Sequence, residues 1–217
     1  MRIGLFGGTF NPIHFGHINV STEIKKKFEL DTIYMIPSAI PPHKRRQEVA
    51  DAQDRLHMTR LAVSGLDGYL VSDVELTRSG PSYTIDTINY FRKALSEDTK
   101  MYLILGMDAF LEIDTWLSYN ELFTKLPLII MSRPGTEYLK HQQLETYIQD
   151  KISDNYWFEE EKNCFMHQTK QSIYLVTVTP YDISSTEIRK RIRQQKPLQN
   201  VIPEPVEQYI RSEGLYI

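Results

Sequence analysis

Short apolar runs alternate with segments of helical period along most of the chain. Six runs bounded by Gly, Pro, Asp or Ser predict strands at residues 2–6, 32–36, 69–72, 101–105, 128–131 and 173–178. Several of these runs are almost wholly apolar, which is typical of strands covered on both faces. The pattern therefore predicts an α/β protein with a doubly wound parallel sheet, whose ligands bind at the carboxyl ends of the strands.

Helices are predicted between these strands at residues 16–28, 50–66 and 83–95, and after the last strand at residues 184–194 and 205–213. In the second of them Met58, Leu61, Ala62 and Leu66 are expected to face inward, and Pro205 suits the first turn of the last one. Residues 150–172 show no clean period, so we expect a long loop or insert there. Nothing divides the sequence, and a single domain over residues 1–217 is predicted.

Composition and charge narrow the classes of function. The 217 residues carry a net charge of −3, which makes the body of the protein a poor partner for nucleic acid or an anionic membrane. No apolar stretch is long enough to span a bilayer, and no secretory signal is visible. The single cysteine, Cys164, excludes an intrachain disulfide and fits a reducing compartment. A cytoplasmic protein is expected.

Residues 7–17, directly after the first predicted strand, carry the clearest chemistry. Glycines where a strand turns into a helix let the backbone approach an anion, and the helix start offers unpaired N–H groups. His14 and His17 lie about one turn apart, so both can donate to phosphate oxygens. A tight turn with two surface histidines is the plain alternative, and a metal site lacks an evident third ligand.

Residues 183–189 give a second signal of the same kind. Ser184 or Ser185 is a candidate N-cap, and Glu187 can complete a capping box. Arg189 follows one turn in, within a basic cluster, and hydroxyls with N–H groups at a helix start suit a triphosphate. Helix capping explains the serines equally well, and a solvated basic face explains the later lysines and arginines.

Together these segments resemble the nucleotidyltransferase superfamily, with its H-x-G-H and I-S-S-T-x-I-R signatures. The further motifs make the chain similar, nearly end to end, to the bacterial nicotinate-nucleotide adenylyltransferases. These motifs are G-G-T-F-x-P at residues 7–12, P-P-H-K at 41–44, P-S-Y-T at 81–84, G-M-D at 106–108, Trp116, R-P-G at 133–135 and P-E-P-V at 203–206. Asn11 stands where many members have Asp, and Ser38 where some have Asn. The resemblance implies a Rossmann-like nucleotidyltransferase fold.

The resemblance also implies a reaction in which ATP adenylylates nicotinate mononucleotide, with Mg²⁺ bound mainly through the ATP phosphates and no protein metal site. His17 takes the main role in the transition state and His14 a supporting one. The implied ATP-binding residues are Gly7, Gly8, Thr9, Phe10, His14, His17, Gly106, Ile183, Ser184, Ser185, Thr186 and Arg189.

The implied residues for nicotinate mononucleotide are Ser38, His43, Lys44, Ser82, Tyr83, Thr84, Asp108, Trp116 and Arg133. Each has a structural alternative. His43 and Lys44 fit an exposed basic loop, Trp116 fits core packing, Asp108 fits a helix N-cap, and Arg133 fits a surface ion pair.

Two rival functions stay open at this point. One is a sister transferase that uses nicotinamide mononucleotide, phosphopantetheine or an alcohol phosphate. The other is a nucleotide-binding regulator that keeps the pocket without the chemistry, although intact His14, His17 and Arg189 argue against it. A homo-oligomer is also compatible with the sequence.

Overall fold

The computed structural model describes residues 1–39, 49–132 and 141–217. Its strands are β1 (Arg2–Gly8), β2 (Thr32–Pro37), β3 (Tyr69–Val71), β4 (Lys100–Gly106), β5 (Leu128–Ser132), β6 (Trp157–Glu159), β7 (Cys164–Met166) and β8 (Ile173–Thr177). Its helices are α1 (Phe15–Lys27), α2 (Ala52–Val63), α3 (Thr84–Ala94), α4 (Met107–Phe110), α5 (Tyr119–Lys125), α6 (His141–Lys151), α7 (Ser185–Arg193) and α8 (Glu204–Ser212), with a short 3₁₀ helix (Ile113–Thr115) before α5.

The strands are hydrogen-bonded in the order β3-β2-β1-β4-β5-β8-β7-β6. Its first five positions follow the strand order of dinucleotide-binding folds. All six predicted strands and all five predicted helices are present, and the α/β class with a central parallel sheet is confirmed. The chain divides into two compact units, which are Met1–Leu5 with Tyr83–Pro180 and Phe6–Ser82 with Tyr181–Ile217. The single domain over residues 1–217 stays a prediction.

The first unit contains β4, β5 and β8, which pair in parallel. Their central residues, among them Ile104 and Ile129, are fully buried, as expected of strands covered on both faces. The alternative of an insert at residues 150–172 stays a prediction, whereas the expectation of a long loop is wrong for part of that stretch. Part of it forms β6 and β7, an antiparallel hairpin that pairs with β8.

The second unit contains β2 and β3, in parallel, with α1, α2, α7 and α8. Helix α8 begins with a proline in its first turn, as predicted for Pro205. It packs on α2, where the Tyr209 hydroxyl donates to Asp54 Oδ1 at 2.8 Å. Met58 and Ala62 face inward, but the expectation for Leu66 is wrong, since it lies beyond the end of α2 and is exposed.

Among the described residues, none of the helices combines the length and the apolar character needed to cross a bilayer. The cytoplasmic location and the homo-oligomer stay predictions.

Candidate active site

The buried side chain of Phe10 fixes the loop between β1 and α1. Phe10 is buried and has a left-handed backbone, with φ of +47°, which is uncommon for a residue with a large side chain. Its ring packs edge-on against the rings of Phe6, at 5.8 Å, and of His17, at 5.1 Å. A side chain at Gly8 would meet the Phe10 ring at 2.8 Å, so glycine is required for this packing.

The two motif histidines form a stacked pair at the start of α1. His14 occupies the N-cap position, and its ring lies 3.7 Å from the His17 ring, centroid to centroid, at an angle of 27°. The backbone N–H of His14 donates to Nδ1 of His17 at 3.3 Å. Because Nδ1 accepts, the ring proton of a neutral His17 lies on Nε2, which is then a hydrogen-bond donor. His14 is buried, so the alternative of two surface histidines is wrong.

Gly16 leaves the space that the His14 ring occupies beside the start of α1. A Cβ at this position would lie 2.9 Å from two atoms of the His14 ring and 3.7 Å from the carbonyl oxygen of Ile183. The glycine of the H-x-G-H motif therefore lets the His14 ring lie against the helix start.

Helix α7 docks directly on the loop after β1. The Ser185 hydroxyl donates to the carbonyl oxygen of Pro12 at 3.0 Å, and Nη1 of Arg189 donates to the carbonyl oxygen of Asn11 at 2.9 Å. Nη2 of Arg189 also reaches the Thr186 hydroxyl, at 3.3 Å. The two motif segments, more than 170 residues apart in sequence, thus lie together.

The two serines at the start of α7 have different partners. Ser184 is the N-cap, and its hydroxyl accepts from the backbone N–H of Glu187 at 3.2 Å. The Glu187 carboxylate accepts from Nε of Arg191 at 3.5 Å, one turn further along the helix. Capping therefore accounts for Ser184, whereas Ser185 joins the helix to the β1–α1 loop.

Arg55 is a buried cation that the sequence analysis missed. From α2 its guanidinium donates to three backbone carbonyls, those of Thr9 at 2.8 Å, Ala50 at 3.0 Å and Ala39 at 3.1 Å. The residue is 1% exposed, and burial lowers the pKa of its guanidinium. Arg55 thereby ties together the segments that follow β1 and β2 and the segment that leads into α2. In the sequence, the spacing of Arg55 three residues before Met58 places it on the inward face of the predicted helix, but nothing there indicates its partners.

The predicted mononucleotide residues of the second unit lie beside the β1–α1 loop. The Ser38 N–H donates to the carbonyl oxygen of Gly8 at 2.9 Å. The Ser82 hydroxyl accepts from the N–H of Ala39 at 2.9 Å. These bonds attach the segment after β2 to the end of β1 and to residues 80–82. His43, Lys44 and Arg133 lie outside the described residues.

In the first unit, the predicted residues occupy helix starts and a turn. Tyr83 is the N-cap residue of α3, and Thr84 is its first residue. Asp108 lies within α4, after β4, and is exposed. The N-cap residue of α4 is Gly106, and a Cβ at Gly106 would lie 2.5 Å from Oδ1 of Asp108. The N-cap alternative for Asp108 is therefore wrong. Trp116 ends the 3₁₀ helix and is only partly buried, so the core-packing alternative does not describe it.

A sequence model of the cytidylyltransferase-like family matches residues 5–191. A protein of Desulfatibacillum aliphaticivorans is 41% identical over 220 residues, covering all of both chains, and one of Thermoanaerobacter sp. (strain X514) is 38% identical over 216 residues, covering all of this chain and 94% of the relative. Both are named probable nicotinate-nucleotide adenylyltransferases.

Among solved structures, the nicotinic acid mononucleotide adenylyltransferase of Plasmodium falciparum, complexed with NaAD, is similar with a TM-score of 0.73. The match covers 99% of this chain and 97% of the other at 18% identity, which supports the fold. On the family match, and on full-length relatives well above 30% identity, the chain belongs to the cytidylyltransferase-like family and, within it, to the nicotinate-nucleotide adenylyltransferases.

Proposed function

We propose that this chain transfers the adenylyl group of ATP to nicotinate mononucleotide and so forms deamido-NAD and pyrophosphate. The observation that carries the proposal is the docking of α7 on the β1–α1 loop, through Ser185 to Pro12 and Arg189 to Asn11. It brings a helix N-terminus, a guanidinium and the histidine pair to one loop, which suits a polyphosphate. The names of the full-length relatives support the same acceptor.

The reaction is a displacement at the α-phosphorus of ATP. An oxygen of the mononucleotide's 5′-phosphate forms a new bond to that phosphorus. The bond from the α-phosphorus to the α,β-bridging oxygen breaks, and its electron pair leaves with pyrophosphate. A phosphate monoester, with a second pKa of about 6, is already mostly dianionic at neutral pH. No side chain has to remove a proton from the nucleophile.

The protein's task is therefore to align two polyanions and to neutralise the charge that grows on the transferred group. We assign the Nε2–H of His17 to a phosphate oxygen of ATP in the transition state, because Nδ1 is already occupied by the His14 N–H. Arg189 supplies the fixed positive charge beside it. His14 holds His17 in place through the stacked ring and the backbone N–H.

The acceptor nucleotide is assigned to Ser38, His43, Lys44, Ser82, Tyr83, Thr84, Asp108, Trp116 and Arg133. We propose that Trp116 stacks on the pyridine ring and that Thr84 with neighbouring N–H groups receives the carboxylate. Asp108, at the carboxyl end of β4, suits a ribose hydroxyl. The 5′-phosphate is assigned to His43 and Lys44 by charge.

Magnesium is proposed to enter with ATP. In the described residues no group of three His, Cys, Asp or Glu side chains is arranged to hold a metal ion. The side chains at the proposed phosphate site are histidines, hydroxyls and a guanidinium, and Mg²⁺ takes oxygen ligands, often from substrate phosphates and water. Mg²⁺ would there add to the neutralisation of the polyphosphate charge.

The direct test is pyrophosphate release from ATP and Mg²⁺ with nicotinate mononucleotide, compared with its amide, nicotinamide mononucleotide. We expect kcat/KM to favour the acid by at least roughly tenfold, because a site with donors for a carboxylate leaves them poorly paired against an amide. A higher kcat/KM for the amide would show that nicotinamide mononucleotide, and not nicotinate mononucleotide, is the preferred acceptor. No turnover with either nucleotide would reject the proposed function.

A pair of His17 variants tests the catalytic assignment. In His17→Asn the side-chain amide lies near the former Nδ1 and can still accept from the His14 N–H, but the Nε2 donor is gone. We expect kcat to fall on the order of 100-fold while ATP affinity and melting temperature stay close to wild type. His17→Gln restores a donor near the former Nε2, so it should keep more turnover than His17→Asn. Equal kcat in wild type and His17→Asn would contradict the assignment.

A further inference from the structure

The Tyr216 side chain connects the segment after α8 to the β1–α1 loop. The Tyr216 hydroxyl donates to Oδ1 of Asn11 at 2.9 Å. The same oxygen accepts from the backbone N–H of Ala50 at 3.0 Å, and Asn11 is only 3% exposed. A buried amide oxygen with two donors has a fixed orientation, because losing either donor would leave polar capacity unsatisfied.

Asn11 also contacts Arg189 directly. Its side-chain oxygen is held by Tyr216 and Ala50, while its main-chain oxygen accepts from Nη1 of Arg189 at 2.9 Å. A shift of the Asn11 backbone would break the bonds from Tyr216 and Ala50, so these two donors help to hold in place the carbonyl that positions the guanidinium. Tyr216 is therefore two hydrogen bonds away from the proposed ATP-binding arginine.

We infer that Tyr216 is a positioning residue for adenylyl transfer, one that fixes Asn11 and, through it, the guanidinium of Arg189. This inference rests on the proposed function, because its expected kinetic effect is on adenylyl transfer from ATP.

The electrostatics keep the Tyr216 hydroxyl a donor. Burial raises the pKa of Tyr216 well above its ordinary value, although the nearby charges of Arg189 and Arg55 act to lower it. The hydroxyl therefore stays protonated throughout the physiological range of pH. The link to Asn11 does not depend on a titration.

The backbone around Tyr216 is fixed in an unusual conformation. Tyr216 has a φ of +67°, a left-handed value that is rare for a bulky side chain. The Leu215 N–H donates to the carbonyl oxygen of Ile210 at 2.9 Å and closes the turn after α8. Strain of this kind persists where surrounding contacts over-determine it, often at functional sites.

The test removes only the Tyr216 hydroxyl, in the variant Tyr216→Phe. We expect kcat/KM for ATP to fall roughly three- to tenfold, the effect of one lost hydrogen bond, while KM for nicotinate mononucleotide stays at the wild-type value. The matched control is Tyr209→Phe, which removes another tyrosine hydroxyl of the same unit, bonded to Asp54 at 2.8 Å. The control should lose melting temperature to a similar extent and keep both kinetic constants.

A double-mutant cycle asks whether Tyr216 acts through Asn11. In an Asn11→Ala background, Tyr216→Phe should cause no further loss in kcat/KM for ATP, since its partner is already gone. If the fold losses in kcat/KM for ATP of the two single variants multiply in the double variant, the inference is overturned. Wild-type kinetics in Tyr216→Phe, or an equal kinetic loss in Tyr209→Phe, would overturn it as well. If the wild type makes no product from these substrates, the proposed function fails. The inference is then tested by the Kd for ATP alone. A higher Kd in Tyr216→Phe than in Tyr209→Phe supports it, and an equal Kd in the two variants overturns it.

Discussion

At the scale of single residues, the H-x-G-H motif is one packed unit. His14 caps the helix and stacks on His17, His17 accepts the His14 N–H, and Gly16 leaves the space that the His14 ring fills. The sequence predicted the two histidines and the glycine-rich turn. It could not predict which ring nitrogen of His17 accepts a hydrogen bond and which carries the ring proton, since that depends on one backbone N–H at 3.3 Å.

Gly16→Ala separates helix propensity from the needs of this unit. Alanine is favoured over glycine in a helix by about 1 kcal/mol, but its Cβ would lie 2.9 Å from the buried His14 ring. Overpacking of this kind costs about 1–3 kcal/mol, so we expect a net loss of stability and a fall in kcat on the order of tenfold or more. Urea unfolding and steady-state kinetics measure the two effects.

The same clash provides a control for Gly16→Ala. In a His14→Ala background the ring that meets the new methyl group is absent. Gly16→Ala should then cause no loss of stability and can gain from its helix propensity. A similar loss in both backgrounds would show that the His14 ring is not what requires glycine here.

At the scale of elements, α2 is attached to the β1–α1 loop by the three carbonyl contacts of Arg55. Arg55→Lys keeps the charge but replaces a planar fork by an ammonium group that cannot reach all three oxygens. We expect the free energy of unfolding to fall by about 2–3 kcal/mol, because buried acceptors lose their donors. Urea unfolding measures the loss.

Arg60→Lys is the matched control on the same helix. Arg60 pairs with Asp73 at 3.5 Å, and both side chains are about half exposed, at 53% and 50%. Exposed ion pairs contribute little, so this variant should change the free energy of unfolding by no more than about 0.5 kcal/mol. Equal losses in the two variants would contradict the bridging role of Arg55.

Element prediction succeeded where an apolar run stood between clear boundaries. β4 and β5 are such runs, and their pairing in parallel buries both faces. β6 and β7 were missed because each has only three residues, and because β6 ends in a glutamate. Their strand conformation comes from pairing with β8 and with each other, which is tertiary information.

At the scale of the whole molecule, motifs predicted which segments form the site, but not the contacts that hold them. The resemblance predicted that residues 7–17 and 183–189 bind one nucleotide. The bonds from Ser185 and Arg189 show that the two segments lie together, and the shared nucleotide stays a prediction. Arg55, Asn11 and Tyr216 carry no signature that marks them as partners. Their roles depend on burial and on hydrogen bonds between distant segments, which neither periodicity nor spacing encodes.

Stability of the whole molecule should also depend on a histidine outside the site. Nδ1 of His167 accepts from the N–H groups of Thr169 and Lys170, both at 3.0 Å. Burial lowers the pKa of His167, and the charge of Lys170 lowers it further. The folded state thus binds fewer protons than the unfolded chain, whose histidines titrate near pH 6.5.

The contribution of His167 to the free energy of unfolding should therefore be complete above about pH 6.5 and decrease as the pH falls through and below that value. His167→Asn keeps an acceptor near the former Nδ1 and does not titrate. We expect its melting temperature to decline less steeply than that of wild type from pH 7 to pH 5, with the other titrations common to both proteins. Parallel pH profiles would show that protonation of His167 does not oppose folding, and that its two N–H contacts are not what acid disrupts.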